Sequence, residues 1–325
     1  MPITNCQGKR IEWLDNLKAL AIFLVVLGHT GLEGQSEIIS MIRTWIYEFH
    51  MPLFFWLSGI SFSVVLNKDG KSVKKQILNM MLIYIIQSVI YILMNIAVHQ
   101  FLNIQTQNKT EFSDLYTFLI NPIGHFWYLQ ALIIIYVIEV FLDTLLKDNR
   151  IKLVIVAIVV CLGSLTSLGV LSRALYYLLY FECGKRVLTV KKVPIWLSGI
   201  GVIASFTLPF ILINNPYLLK ILAIVIALST SVFLVSLFSK YFDSNNKITS
   251  IGKNCLWIYI FHTYFTSVSR NLCNKVIPTL PIVSMMITTI IGIAGPLIIM
   301  YVFNKIGISR IVTKPVSYVW KGKVE

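Results

Sequence analysis

The chain has 325 residues, 57% apolar and only 13% charged, with a mean hydropathy of +0.78. A soluble domain is roughly 45–50% apolar and about 25% charged, so the composition excludes an ordinary water-soluble protein, and so much apolar sequence exceeds one or two membrane spans. The formal net charge of +14 would suit a nucleic-acid binder, but the cations are placed as membrane flanks, not as a nucleic-acid patch.

Ten stretches are apolar enough, at about 20 residues each, to read as transmembrane helices: 14–32, 42–66, 77–98, 125–146, 151–170, 172–189, 193–213, 217–239, 251–270 and 282–304. The N-terminal region carries Glu12 and Asp15. With an apolar run that continues into a full span, they argue against a cleavable signal peptide. Within that first helix Lys18 and His29 are 11 residues apart. At 100° per residue this places both on one face, separated by roughly 16 Å along the axis. Two readings fit. Lys18 snorkels to the interface and His29 is a helix-contact residue, or the pair holds a phosphate near the inner surface and handles a proton deeper in.

The second helix carries Glu48-Phe49-His50-Met51-Pro52-Leu53-Phe54-Phe55-Trp56-Leu57-Ser58-Gly59, with a proline in mid-span that frees a backbone carbonyl. The longest polar connection, 99–124, follows the third. The fourth opens on His125-Phe126-Trp127-Tyr128, which also reads as an interfacial aromatic belt. Glu139 and Glu182 are in-span carboxylates with structural partners expected, and only a tight turn at 169–173 separates the fifth and sixth spans. The ninth stretch, Ile251-Gly252-Lys253-Asn254 through His262, puts Lys253 and Asn254 at the inner surface and His262 near mid-membrane. No segment is long or polar enough for a soluble domain, so residues 1–325 read as a single membrane domain. The five cysteines are scattered without a C-x-x-C pair, so neither a disulfide framework nor a metal site is indicated.

With the N-terminus inside, 22 of the 28 Lys and Arg residues fall on the inner face and six outside, namely Arg43, Lys109, Arg173, Lys220, Arg270 and Lys275. That asymmetry predicts an all-α polytopic protein with both termini cytoplasmic. No internal or inverted repeat of the kind found in many secondary transporters is visible.

The run Leu14-Asp15-Asn16-Leu17-Lys18 through Leu27-Gly28-His29 resembles the first-helix signature of the acyltransferase 3 family of membrane O-acyltransferases. The stretch 50–59, the Trp127-Tyr128-Leu129 triplet and the 251–262 stretch resemble further family motifs in the same order, and the likeness covers the whole chain. It is nearest the stand-alone, sugar-modifying branch. The departure is Lys18, where the family more often has Arg: the charge is kept, the bidentate fork is lost.

The resemblance implies an enzyme of the bacterial plasma membrane that moves an acyl group, expected to be acetyl, from cytoplasmic acyl-CoA (acetyl-CoA) to a sugar hydroxyl of a glycan or glycolipid. It needs no metal or tightly bound cofactor. His29 would be the catalytic base or a transient acyl carrier, with Glu48 or His50 orienting it or binding the acceptor. Lys18, with Arg10, Asp15, Lys253 and Asn254, would hold coenzyme A, and Trp127, Tyr128 and His262 would bind substrate. Partners are the bilayer and these substrates, a homo-oligomer included as an option and nucleic acid not. A transporter or flippase for lipid-linked sugar, or a ligand-sensing module without turnover, would use the same polar groups.

Overall fold

The computed structural model describes residues 10–30, 37–66, 70–102, 109–146, 148–165, 167–186 and 216–316, with residues 196, 199–200 and 202–203 between them. The regular structure among these is helical: α1 (Glu12–Gly28), α2 (Glu37–Leu66), α3 (Gly70–Leu102), α4 (Asp114–Thr117), a 3₁₀ turn (Gly124–Phe126), α5 (Trp127–Leu145), α6 (Asn149–Leu165) and α7 (Val170–Arg186). After residues 187–215 follow α8 (Pro216–Tyr241), α9 (Lys247–Lys253), α10 (Cys255–Val276), α11 (Pro281–Ile306) and α12 (Ser309–Thr313).

The protein is an all-α, multi-pass membrane protein. Among the described residues, five segments are long and apolar enough to cross a bilayer: Arg43–Val65, Ser72–Phe101, Gly124–Leu145, Leu222–Tyr241 and Pro281–Ile306. Helices α1, α6 and α7 have 17 residues each, which at 1.5 Å per residue is about 26 Å. Helix α10 is longer, but Thr263, Thr266, Ser267 and Ser269 are buried along it beside His262. The expected seventh span, 193–213, lies outside the described residues apart from 196, 199–200 and 202–203.

Several boundaries differ from the sequence reading: α2 begins at Glu37 rather than 42, α3 at Gly70 rather than 77, and α10 ends at Val276 rather than 270. The helix of the ninth apolar stretch begins at Cys255 rather than 251, because residues 247–253 form their own short helix. Asn246 caps that helix through a reciprocal box with Thr249. Asn254 then leaves helical geometry at φ −108°, ψ 16° and starts α10 afresh. Helix α9 presses directly on α1: a Cβ at Gly252 would lie 1.7 Å from the Asp15 carbonyl oxygen. Asn16 completes the junction, donating to the Phe242 and Ser244 carbonyls at 2.6 and 3.0 Å and accepting from the Thr249 hydroxyl at 2.7 Å. The Asp-Asn pair of the first-helix signature thus anchors α1 near its N-terminal end.

Glycines permit a second close approach. A Cβ at Gly59 would meet the Phe181 carbonyl oxygen at 2.0 Å, and one at Gly184 would meet that of Trp56 at 2.0 Å. Helices α2 and α7 therefore touch backbone to backbone, the usual use of small residues in membrane helix packing. Beside this contact α5, α6 and α7 share a buried charge network. Lys152, 1% exposed, reaches Glu139 at 2.6 Å, Asp143 at 2.7 Å and Glu182 at 3.3 Å. Lys185 meets Glu139 at 3.0 Å and Asp143 at 2.6 Å, and Arg186 meets Glu182 at 2.6 Å. Glu139 and Glu182 have the structural partners expected of in-span carboxylates.

Candidate active site

Four of the five histidines converge, although they lie on three helices and a turn. His29 is the C-terminal cap of α1, its N–H on the Val25 and Val26 carbonyls. Its ring centroid is 5.2 Å from that of His262 on α10, and His262 is 5.0 Å from His125 in the 3₁₀ turn. Tyr47 of α2 links the fourth: its ring lies 6.4 Å from His29 and 4.9 Å from His50, and its hydroxyl donates to the Gly28 carbonyl at 3.3 Å. His50, His125 and His262 are buried, whereas His99 is exposed and stands apart.

Backbone carbonyls decide the tautomer of two rings. The Nδ1–H of His262 points at the carbonyls of Ile258 (3.0 Å) and Tyr259 (2.9 Å), and that of His50 at Ile46 (2.7 Å). A carbonyl accepts only, so each Nδ1 carries the proton and each neutral ring keeps a bare Nε2. Proline 52 contributes to this part of α2 by having no N–H for the Glu48 carbonyl.

Toward the N-terminal end of α1 lies a cavity of about 430 Å³. Its walls include Lys18, Ser58, Ser61, Lys75, Gln76, Tyr128, Tyr136, Cys255, Tyr259 and Lys314. Tyr128 and Tyr259 stand between this cavity and the histidines. The Tyr128 hydroxyl pairs with Ser58 at 2.8 Å, the two tyrosine rings are 5.6 Å apart, and the Tyr259 hydroxyl donates to the His125 carbonyl at 2.8 Å. On the other side of His29 is a shallow groove of about 490 Å³ lined by Ser40, Arg43, Thr44, Tyr47 and Glu48. The site thus has a lysine-lined chamber below, a histidine cluster in the middle and a polar groove above, with Tyr47 common to the groove and the cluster.

The sequence-predicted residues divide accordingly. Lys18 and Tyr128 line the chamber; His29, His50 and His262 form the cluster; Glu48 lies in the groove rather than on the imidazoles. Arg10 and Asp15 pair with each other, and Asp15 is 3% exposed. Lys253 sits 3.8 Å from Glu12 and 3.4 Å from Asn245, and Asn254 donates to the Ser250 carbonyl at 2.9 Å, so both secure the α9–α10 turn. Trp127 points away from the chamber into Phe55, Tyr177 and the Arg173 guanidinium. Three residues were not singled out from the sequence: His125, hidden in what reads as an aromatic belt, and Lys75 and Lys314, which no spacing ties to Lys18.

Residues 11–303 match the acyltransferase domain family. The chain belongs to the acyltransferase 3 family. No curated protein and no solved structure matches the chain. As a family member it is a membrane acyltransferase, and the cluster, the groove and all of the chamber wall except Thr313 and Lys314 fall within the matched residues.

Proposed function

We propose that the protein transfers an acetyl group from cytoplasmic acetyl-CoA, entering the lysine-lined chamber, to a sugar hydroxyl that approaches His29 from the opposite groove. The observation that carries the reading is the order of chamber, tyrosine pair and histidine cluster along α1. Lys18 and His29 are about 16 Å apart along that helix, a span that an extended pantetheine arm covers. Three lysines suit a phosphate-rich donor, and the serine and tyrosine hydroxyls suit its amide-bearing arm. His29 then serves as general base for the hydroxyl, which is a weak nucleophile until its proton is taken. The acceptor belongs to a surface polysaccharide or its lipid-linked precursor in a bacterial plasma membrane. The test is transfer of label from [¹⁴C]acetyl-CoA to glycan in membranes containing the protein. Label in the glycan supports the reading; movement of glycan across the bilayer with no consumption of acetyl-CoA would favour a transporter.

Lys18 gives a sharper check of the donor side. Lys18→Ala is expected to raise the apparent KM for acetyl-CoA by the equivalent of about 1–3 kcal/mol, the worth of a charge-assisted bond. Lys18→Arg should keep or improve it, because the guanidinium engages a phosphate at two points. An unchanged donor KM in the alanine variant would reduce Lys18 to a snorkelling cation.

The inside–inside topology with ten spans is part of the same proposal, since it puts the chamber on the cytoplasmic side. Single cysteines placed in a cysteine-free background should label from the cytoplasm at positions 71 and 191 and from outside at 109 and 275. The opposite labelling pattern would invert the donor and acceptor sides.

A further inference from the structure

The reading above uses one imidazole, yet the cluster holds a second whose proton-accepting nitrogen has nothing to accept from. His262 is fully buried, and its Nε2 has no hydrogen-bond partner among the described residues. An unpaired buried acceptor in a membrane interior is costly, on the order of kilocalories per mole. Its presence between two other histidine rings, at 5.2 and 5.0 Å, calls for a role. The ring is also not free to turn away. Its Nδ1–H is held by two carbonyls of its own helix at 3.0 and 2.9 Å, which fix the tautomer and the plane.

We propose that His262 is the proton acceptor behind His29, the two forming a relay in which Nε2 of His262 receives the second proton of the transfer. The inference rests on the acetyl-transfer reading. As the acceptor oxygen attacks the thioester carbon, its O–H bond breaks and the proton goes to the bare nitrogen of His29. The two rings are not hydrogen-bonded in the structure, their centroids 5.2 Å apart; as the His29 ring closes on His262, the N–H on its other side gives its proton to His262 Nε2, leaving the positive charge on His262. The two carbonyls on Nδ1–H stabilise that imidazolium as a carboxylate does in a catalytic triad. The C–S bond then breaks, and the proton returns along the same path to the departing thiolate. Ester and free thiol are the products, and no other reactant is needed.

His50 shares the locked Nδ1 but is on the far side of Tyr47, so His262 is the ring placed to receive from His29. The groups facing the pair are His125 of the 3₁₀ turn, Tyr259 of α10, and Arg43, Tyr47 and His50 of α2. Sequence alone gives His262 no such role; it follows from the hydrogen bonds of α10.

The test is His262→Gln in nanodiscs. The Gln amide oxygen accepts a hydrogen bond but cannot hold a proton at neutral pH, so orientation survives and relay does not. We expect kcat to fall on the order of 10²-fold, the acetyl-CoA KM to stay within about twofold, and the rate in H₂O/D₂O mixtures to change from a curved to a linear dependence as two moving protons become one. Unchanged kcat and curvature, or equal losses in kcat and donor affinity with the curvature intact, would overturn the relay. A second measurement is independent of turnover: ¹⁵N-histidine NMR of the protein in bilayers. His29 and His262 should titrate as a coupled pair, and His262→Gln should shift the His29 transition. A His29 transition that does not move overturns the inference even if acetyl transfer itself is absent, and one that moves supports it.

Discussion

His29→Gln is expected to lower kcat for acetyl transfer by on the order of 10²–10⁴, the usual contribution of a positioned general base. Glutamine is close in size and hydrogen-bonds, but it takes up no proton near neutral pH. The ring position is the end of α1, where the backbone of residue 29 still bonds to Val25 and Val26, so the substitution leaves the helix cap in place. Stability should therefore change little, one polar side chain replacing another. His50→Gln should be milder, because Tyr47 separates its ring from His29. The measurement is acetyl transfer by purified protein matched for expression and monodispersity. A folded His29→Gln protein with near-normal kcat would remove His29 from the chemistry and make His262 the base.

What the sequence made legible was whatever a single helix carries by itself. Lys18 and His29 share one face of α1, and periodicity alone aligned one with the chamber and the other with the cluster. The apolar runs likewise located α2, α3, α5, α8 and α11, although α3 begins at Gly70, seven residues before the expected 77. What needed the fold was convergence between helices. His125 lies 96 positions after His29, and Lys314 lies 296 after Lys18; no period joins them, only packing of α10, the 3₁₀ turn and α12 around α1 and α3. The same limit explains Arg10, Asp15, Lys253 and Asn254. Cations and amides at a helix end look alike whether they face a ligand or a neighbouring helix. Gly252 decided it, by allowing α9 to lie against α1 and turn those side chains toward Glu12, Asn245 and each other. The start of α10 was misplaced for a local reason, since the capping box at Asn246 is written in polar residues that a hydropathy window averages away.

The other large effect expected is on stability, at Lys152. This ammonium is 1% exposed and faces Glu139 and Glu182, themselves 0% and 1% exposed. Lys185 and Arg186 complete a balanced set of three cations and three carboxylates with Asp143. Lys152→Met removes one cation and leaves a buried carboxylate uncompensated, which costs about 3–5 kcal/mol where a buried pair loses one partner. Methionine fills much of the same space, so lost packing is a small part of that figure. The decisive comparison is Lys152→Met combined with Glu139→Gln. This restores the balance at two and two, leaving Lys185 on Asp143 and Arg186 on Glu182. The thermal midpoint of detergent-solubilised protein should fall most in the single variant and recover in the double. Because none of the six charged residues lines the chamber, the folded fraction of either variant should keep its KM for acetyl-CoA. If the double variant is no more stable than the single, the carboxylates are not what Lys152 neutralises, and its contribution is packing.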